Sequence, residues 1–290
     1  MGESGVKLDQ IGAWSRDKLD MLGQYLAAYV NILSTERGRE YCSDFHYVDA
    51  FAGATEHIDK DSGEYIDGSP RVALKVQPQF FSYTFIEKNR NKVKKVLEPL
   101  EAEFPDRNIN ILYGDCNEKL LNDILPIFPP RKKKSKLGFI FLDPYGTNLE
   151  WDTVEAIGKA GVFDVFINLS VMGVTRQAPG TPPPADVHER VSRFMGGDEW
   201  FNICYRENPQ LALPGFAAPA HVRARDGVAD SLAKCYQEKL ASCFHYVTPF
   251  KMMYSSKNSP IYALIFASQA KTAMEKMRAI LNRKKVSLEK

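Results

Sequence analysis

The chain holds five cysteines, Cys42, Cys116, Cys204, Cys235 and Cys243, but no CxxC pair and no closely spaced histidine partner. That scatter excludes zinc-finger and iron–sulfur frameworks; the thiols read as reduced and mostly buried, and no metal is expected. No apolar run approaches the roughly 20 residues that span a bilayer, and the polar start Met1-Gly2-Glu3-Ser4 lacks the apolar core of a secretory signal. A cytoplasmic protein with no membrane partner is expected. No internal repeat is present. A strong charge of one sign is missing too: the net +2 does not by itself demand a polyanionic partner, so any basic surface must come from local clustering. Lysine is absent between Lys159 and Lys234, a span that holds Arg176, Arg190, Arg193, Arg206, Arg223 and Arg225. Arginine's rigid fork suits phosphate or carboxylate, and internal salt bridges explain such a set about as well.

What is present is the composition of a soluble globule, with 44% hydrophobic and 26% charged residues in 290. That length fits one large α/β domain with an appendage, or two domains. The organising stretch is His46-Tyr47-Val48-Asp49-Ala50-Phe51-Ala52-Gly53, a strand-forming run that ends on an acid and breaks into small residues. Gly53 lets the backbone turn sharply and approach a ligand. Before it, Leu19, Leu22, Leu26, Tyr29, Val30 and Leu33 mark one face of a helix, with Ser15 as candidate cap and Gly38 just past its end. After it, residues 54–67 read as an exposed polar loop, and Gly68-Ser69-Pro70 opens a helix with Ser69 as cap.

Three more strands repeat the pattern of an acid at the end: Phe80 to Glu87, Asn108 to Asp115 and Leu137 to Asp143. Carboxylates at four successive strand ends line one edge, where open α/β sheets bind ligands. A fifth strand, Phe163 to Ser170, comes after a helix from Trp151. Two closing strands, His245 to Met253 and Pro260 to Ser268, are joined by too short a link to be parallel. Residues 1–40 form an N-terminal helical segment, 41–172 with 231–290 the main domain, and 173–230 an insertion that caps the site or reads substrate. The basic run Arg131-Lys132-Lys133-Lys134-Ser135-Lys136 reads first as a solvated loop at the sheet edge and second as a nucleic-acid contact.

Five β/α units and a last antiparallel strand resemble the Rossmann-like sheet of the class I S-adenosylmethionine-dependent methyltransferases. Asp49-Ala50-Phe51-Ala52-Gly53 resembles that family's first signature in the form found in nucleic-acid methylases. Phe85-Ile86-Glu87 resembles the second strand, whose acid grips both ribose hydroxyls, and Gly114-Asp115 the third signature, whose acid faces the adenine amine. Asp143-Pro144-Tyr145-Gly146 is similar to the catalytic turn of amino-methylating enzymes. The resemblance implies S-adenosylmethionine held by Asp49, Phe51, Gly53, Glu87, Asp115 and Cys116. It implies catalysis by Asp143, Pro144 and Tyr145 at an exocyclic nitrogen of a nucleic acid or nucleotide, with Arg176, Lys132 and Lys133 as candidate substrate contacts. Two departures stand out. Thr55 occupies a position where many members have glycine, and 38 residues separate Asp49 from Glu87, against about 20 in the dinucleotide-binding pattern.

At finer grain the chain resembles the three-Cys-motif partner proteins. Trp14 with Lys18 to Tyr29, Asp67-Gly68-Ser69-Pro70, Gly114-Asp115-Cys116-Asn117 and Leu142-Asp143-Pro144-Tyr145-Gly146 with Trp151 carry that likeness beside the first two signatures. It implies a protein partner bearing the three-Cys motif, and opens the alternative of a binding or specificity subunit without activity of its own. A nuclease holding magnesium on the strand-end acids is a weaker third possibility. Each site residue also has a purely structural role to set beside the functional one. Tyr145 can pack under the insertion, Asp115 can cap the next helix, and Asp49 can satisfy backbone amides of its turn. The five histidines read as structural or exposed.

Overall fold

The computed structural model describes residues 9–208, 221–224 and 226–282. Arg225, the segment 209–220 and both chain ends lie outside them. The centre is an eight-stranded sheet built from β1 (Cys42–Asp49), β2 (Ser82–Glu87), β3 (Ile109–Tyr113), β4 (Ser135–Leu142), β5 (Phe163–Leu169), β6 (Tyr246–Val247), β7 (Lys251–Tyr254) and β8 (Pro260–Ser268). The order is β3-β2-β1-β4-β5-β8, with β6 and β7 both paired to the far side of β8. Strands β1 to β5 are parallel; β8 runs antiparallel to β5. This is the expected layout. The chain builds outward from β1 to β3, then crosses back to β4 on the other side of β1, which leaves a crevice at the carboxyl ends of β1 and β4.

Side chains alternate faces along each strand, and the two faces differ in kind. One carries Tyr47, Tyr83, Phe85, Phe139, Phe141, Phe166 and Phe266, packed under the helices Ala13–Ser34, Ser69–Lys75 and Lys271–Leu281. The other carries Val48, Ile86, Ile140, Leu142, Val165 and Ile167 under the helices Trp151–Ala160 and Val228–Cys243. On the aromatic face Tyr47 stacks on Phe139 with ring centroids 6.0 Å apart. Burying each of these large side chains contributes roughly 1.5–3 kcal/mol, so both layers are anchored directly on the strands that end in acids.

Several local expectations are corrected. The first long helix begins at Ala13 behind Gly12, so Ser15 lies inside it and caps nothing. Gly38 does not mark a helix end; it sits in a second short helix, Glu36–Tyr41, where it donates to the Thr35 cap hydroxyl at 3.0 Å. Ser69 is helical behind Gly68 and does not cap. Residues 54–67 are not a loop: Glu56–Asp59 and Tyr65–Asp67 form a hairpin, and Asp9–Ile11 adds a parallel third strand. Polarity concealed it, because the fully buried Asp59 takes amide protons from Asp61 and Ser62 and pairs with Arg16 at 2.6 Å. The penultimate strand is broken into β6 and β7, where the buried Thr248 hydroxyl accepts the Phe266 amide at 3.1 Å in place of a backbone carbonyl.

The stretch after β5 is largely helical, as Val171–Gln177, Ala185–Met195 and Glu199–Cys204, with a small hairpin of Tyr205–Glu207 and His221–Arg223. Its Val191, Phe194, Met195 and Trp200 join the aliphatic-face core with Trp151 and Tyr236. It is an extension of the sheet's own core. The piece expected around Pro209 to Pro219 lies outside the described residues. No described helix is long and apolar enough to cross a membrane.

Candidate functional site

A cavity of about 980 Å³ opens over the carboxyl ends of β1 to β4. That is the upper end of the volume that holds small ligands. Its walls come from the turn after β1, the ends of β2 and β3, the Asp143–Glu150 loop, the start of the helix after β5, and the N-terminal strand and helix. Of the predicted cofactor residues, Phe51, Gly53, Glu87, Asp115 and Cys116 line it, as do the predicted catalytic Asp143, Pro144 and Tyr145 and the predicted substrate contact Arg176. These elements stand far apart in sequence and meet in one crevice because parallel strands end together.

Asp49 is fully buried and does not line the cavity. It accepts the Phe51 amide at 3.1 Å and hydrogen bonds from Ser69 and Tyr47, and burial pushes its carboxyl up to about 6. Its place is beneath the turn, which it braces. Glu87 stands beside that turn and accepts the Asn89 amide at 2.6 Å on one oxygen. A side chain on residue 53 would run into the Glu87 carboxylate, so glycine is what lets the acid approach the turn. Asp115 caps the helix that begins at Cys116, accepting the Asn117 amide at 3.0 Å, and pairs with Lys88 at 3.1 Å. Burial pushes its carboxyl up, but the hydrogen bonds from Lys88 and Asn117 outweigh this and hold it below the usual range. Cys116 is buried, its thiol pushed up to about 12 by burial, and so inert. Asn117 ties the loops together: its amide group reaches the Asn148 carbonyl at 2.9 Å and takes the Glu150 amide at 2.9 Å.

Asp143 comes directly after β4. Asn168, buried on β5, donates to one of its oxygens at 2.6 Å, and Lys18 from the first helix makes an ion pair with the other. Tyr145 is 83% exposed, so it does not pack under the insertion; it stands at the cavity mouth on a turn made possible by the positive φ of Gly146. The cavity's rim carries basic and acidic side chains together. Lys88, Lys92, Arg176, Arg190 and Arg193 border it, Arg190 bonded to Gln177 and Arg193 to Glu189 and Glu150. Arg223 instead donates to the Thr175 carbonyl.

Lys132 and Lys133 are placed elsewhere. They are exposed in the loop before β4, whose eight residues put them roughly 25 Å from its carboxyl end. As substrate contacts for this cleft they are corrected. The local basic run was legible, but which end of the strand it flanked decides what it can touch.

Residues the sequence did not assign to the site complete the wall. Lys18 occupies the helix face shared by Ser15, Leu22, Tyr25 and Tyr29, a spacing that places a lysine in the apolar stripe. That conflict was the available signal: a buried ammonium needs a carboxylate. Asn168, an amide inside an apolar strand, gave a similar one. His57 lines the cleft from the hairpin with its Nδ1 buried and unpartnered among the described residues, burial and then Lys18 lowering its basicity. Trp14 stacks on Tyr262 of β8 at 4.9 Å and closes that side. Among the described residues no three of His, Cys, Asp or Glu are grouped to hold a metal ion.

No family model and no curated protein matches the chain. Among solved structures it is similar to a Legionella pneumophila protein of family DUF519, at 11% identity over 92% of this chain and 90% of that one, with a TM-score of 0.52. It is also similar to spermidine synthase from Thermotoga maritima, at 9% identity, 91% and 62% coverage and a TM-score of 0.45. The bifunctional kinase-methyltransferase WbdD gives 11%, 87% and 39%, and 0.43. At these identities the likeness concerns the backbone. The strand order and the antiparallel last strand make the fold α/β, with the mostly parallel, Rossmann-like sheet of the class I methyltransferases.

Proposed function

We propose that this chain is an S-adenosylmethionine-dependent methyltransferase acting on an exocyclic nitrogen of a nucleic acid or nucleotide. One observation carries the proposal: Glu87 at the end of β2 and Asp143-Pro144-Tyr145 at the end of β4 open into the same cavity at the point where the sheet reverses its order. The donor set fits the cofactor. A vicinal diol offers two donors, and Glu87 keeps acceptor capacity on both oxygens after taking one amide. The glycine turn at residue 53 leaves the close approach that a nucleoside needs. When bound, S-adenosylmethionine supplies an electrophilic methyl group on a cationic sulfur.

The chain's own residues do the rest. Phe51 and Ala54 wall the turn, Glu87 fixes the ribose, and the Asp115 loop closes the far end. Asp143 and the Pro144 carbonyl accept the target's N–H groups, which localises a lone pair otherwise delocalised into its ring. Tyr145, exposed at the mouth, offers a face on which a base can stack. Lys88, Lys92 and Arg176 hold phosphates outside. Calorimetry with S-adenosylhomocysteine tests this: binding is expected in the wild type and is lost in Glu87→Ala. No binding, or equal binding by both, overturns the proposal.

A second reading rests on the Asp143 contacts. With Lys18 on one oxygen and Asn168 on the other, the carboxylate is internally satisfied, as suits a binding subunit that keeps the pocket for a three-Cys-motif partner. Labelled methyl transfer by the purified chain removes this reading; co-purification with such a partner, and transfer only in its presence, favours it.

A further inference from the structure

The Lys18 side chain is 7% exposed and reaches Asp143 from a different layer of the molecule, 125 residues away in sequence. Its ammonium also lies 5.5 Å from the Trp14 ring centroid and 5.8 Å from that of Phe141. A charge withdrawn from water to this degree is costly unless paired. Asn168 holds the second oxygen at 2.6 Å, so the carboxylate is fixed from two sides while keeping 26% of its surface open toward the cleft. The Asp143 charge in turn acts on Asp49, Tyr47, His57 and Tyr262 of neighbouring elements. Lys18 is the residue ion-paired with it.

Resting on the methyl-transfer reading above, we propose that Lys18 is a positioning residue that holds Asp143 as a charge-neutralised acceptor, and so selects an uncharged aromatic amine over a protonated alkyl amine. A nucleobase amine is neutral at physiological pH. Hydrogen-bonded to Asp143, its nitrogen lone pair forms the new N–C bond to the methyl carbon of a sulfonium donor. The S–C bond breaks with its electron pair left on sulfur as a neutral thioether, and the methylated aryl nitrogen, now cationic and strongly acidic, gives one proton to water at the open mouth. An alkyl ammonium must lose a proton before it has a lone pair to offer. A carboxylate already paired with a buried ammonium is a poor acceptor for that proton and draws the cation weakly.

The test reads the carboxylate itself as well as turnover. Carbon NMR of protein labelled at aspartate carboxyl carbons, with the Asp143 signal assigned by Asp143→Asn, follows the position of that signal at neutral pH in wild type, Lys18→Met and Lys18→Arg. The Asp143 carboxyl signal is expected to move in Lys18→Met, which loses the ion pair, and to stay near its wild-type position in Lys18→Arg, which keeps one. Methyl transfer to an oligonucleotide is expected to fall about tenfold or more in kcat in Lys18→Met, with the acid limb of its pH profile moved upward and the preference over spermidine reduced. Lys18→Gln replaces Lys18→Met should the latter not fold. An unmoved Asp143 signal in Lys18→Met, or unchanged kcat and preference, overturns the proposal. An Asp143 signal that moves in Lys18→Met, while the wild type binds no S-adenosylhomocysteine and transfers no methyl group, supports the clamp and overturns the reading on which its selectivity rests.

Discussion

The two rims of the sheet each hold a carboxylate beside a tyrosine, Asp49 fully buried and Asp164 partly so, and they use it differently. At the carboxyl-end rim Asp49 braces a turn with Tyr47 and Ser69, and a cavity of about 980 Å³ opens above it. At the amino-end rim Asp164 takes hydrogen bonds from Tyr25, at 2.7 Å, and from Ser268, and the cavity there is about 70 Å³. Burial pushes both carboxyls up to about 6. The difference lies in the residues around each acid. After Asp49 come small residues and a glycine, which leave space; around Asp164 the first and last helices close in with Tyr29, Leu33 and Ala273. One rim keeps a wide cavity, and the other is filled down to a narrow one.

The largest break in that comparison should come from the open rim. Asp143→Ala is expected to lower kcat for methyl transfer about a thousandfold while S-adenosylhomocysteine binding, read by calorimetry, stays within a few-fold. Glu87→Ala should cost about 3 kcal/mol of cofactor binding, on the order of a hundredfold in Kd, because two charge-assisted hydrogen bonds go with it. Gly53→Ala should weaken binding in the same direction by displacing Glu87.

The closed rim should answer in stability instead. A carboxyl raised from its unfolded value near 3.9 to about 6 gives stability that is present below the unfolded value and is lost as pH rises through the folded one. Thermal unfolding should therefore show stability falling between about pH 4 and 7, and Asp164→Asn should flatten that fall by about 3 kcal/mol at most, with methyl transfer unchanged. Asp49 carries the same sign and leaves a residual slope. The smallest effect belongs to the basic loop of that rim: the double variant Lys132→Ala, Lys133→Ala should change oligonucleotide affinity less than about twofold, whereas Arg176→Ala at the mouth should weaken it several-fold and reduce its salt dependence.

How much of this was legible depended on the range of the interactions. Strand runs such as Phe139 to Leu142 and the helix from Trp151 announce themselves within ten residues, and so did the acids after them, because a parallel sheet puts those ends together whatever the loops do. Asp115 was open between capping and ligand binding, and it caps. The hairpin at 56–67 was missed because its polar strands are held by Asp59 and by Arg16, 43 residues away. Lys18 was read only as part of a helix with one apolar face; its partner lies across 125 residues, beyond any local pattern. The helix does both jobs, with Leu22 and Tyr25 in the core and Lys18 in the cleft.

The three-residue strand Asp9–Ile11 gives that wall its footing, since it pairs in register with His57, Ile58 and Asp59. None of the eight sheet strands depends on those rungs. Shaving the chain back through Ile11 would therefore spare every rung of the central sheet and strip the outer strand from the hairpin that carries His57, so that the pocket's edge can be trimmed apart from its floor.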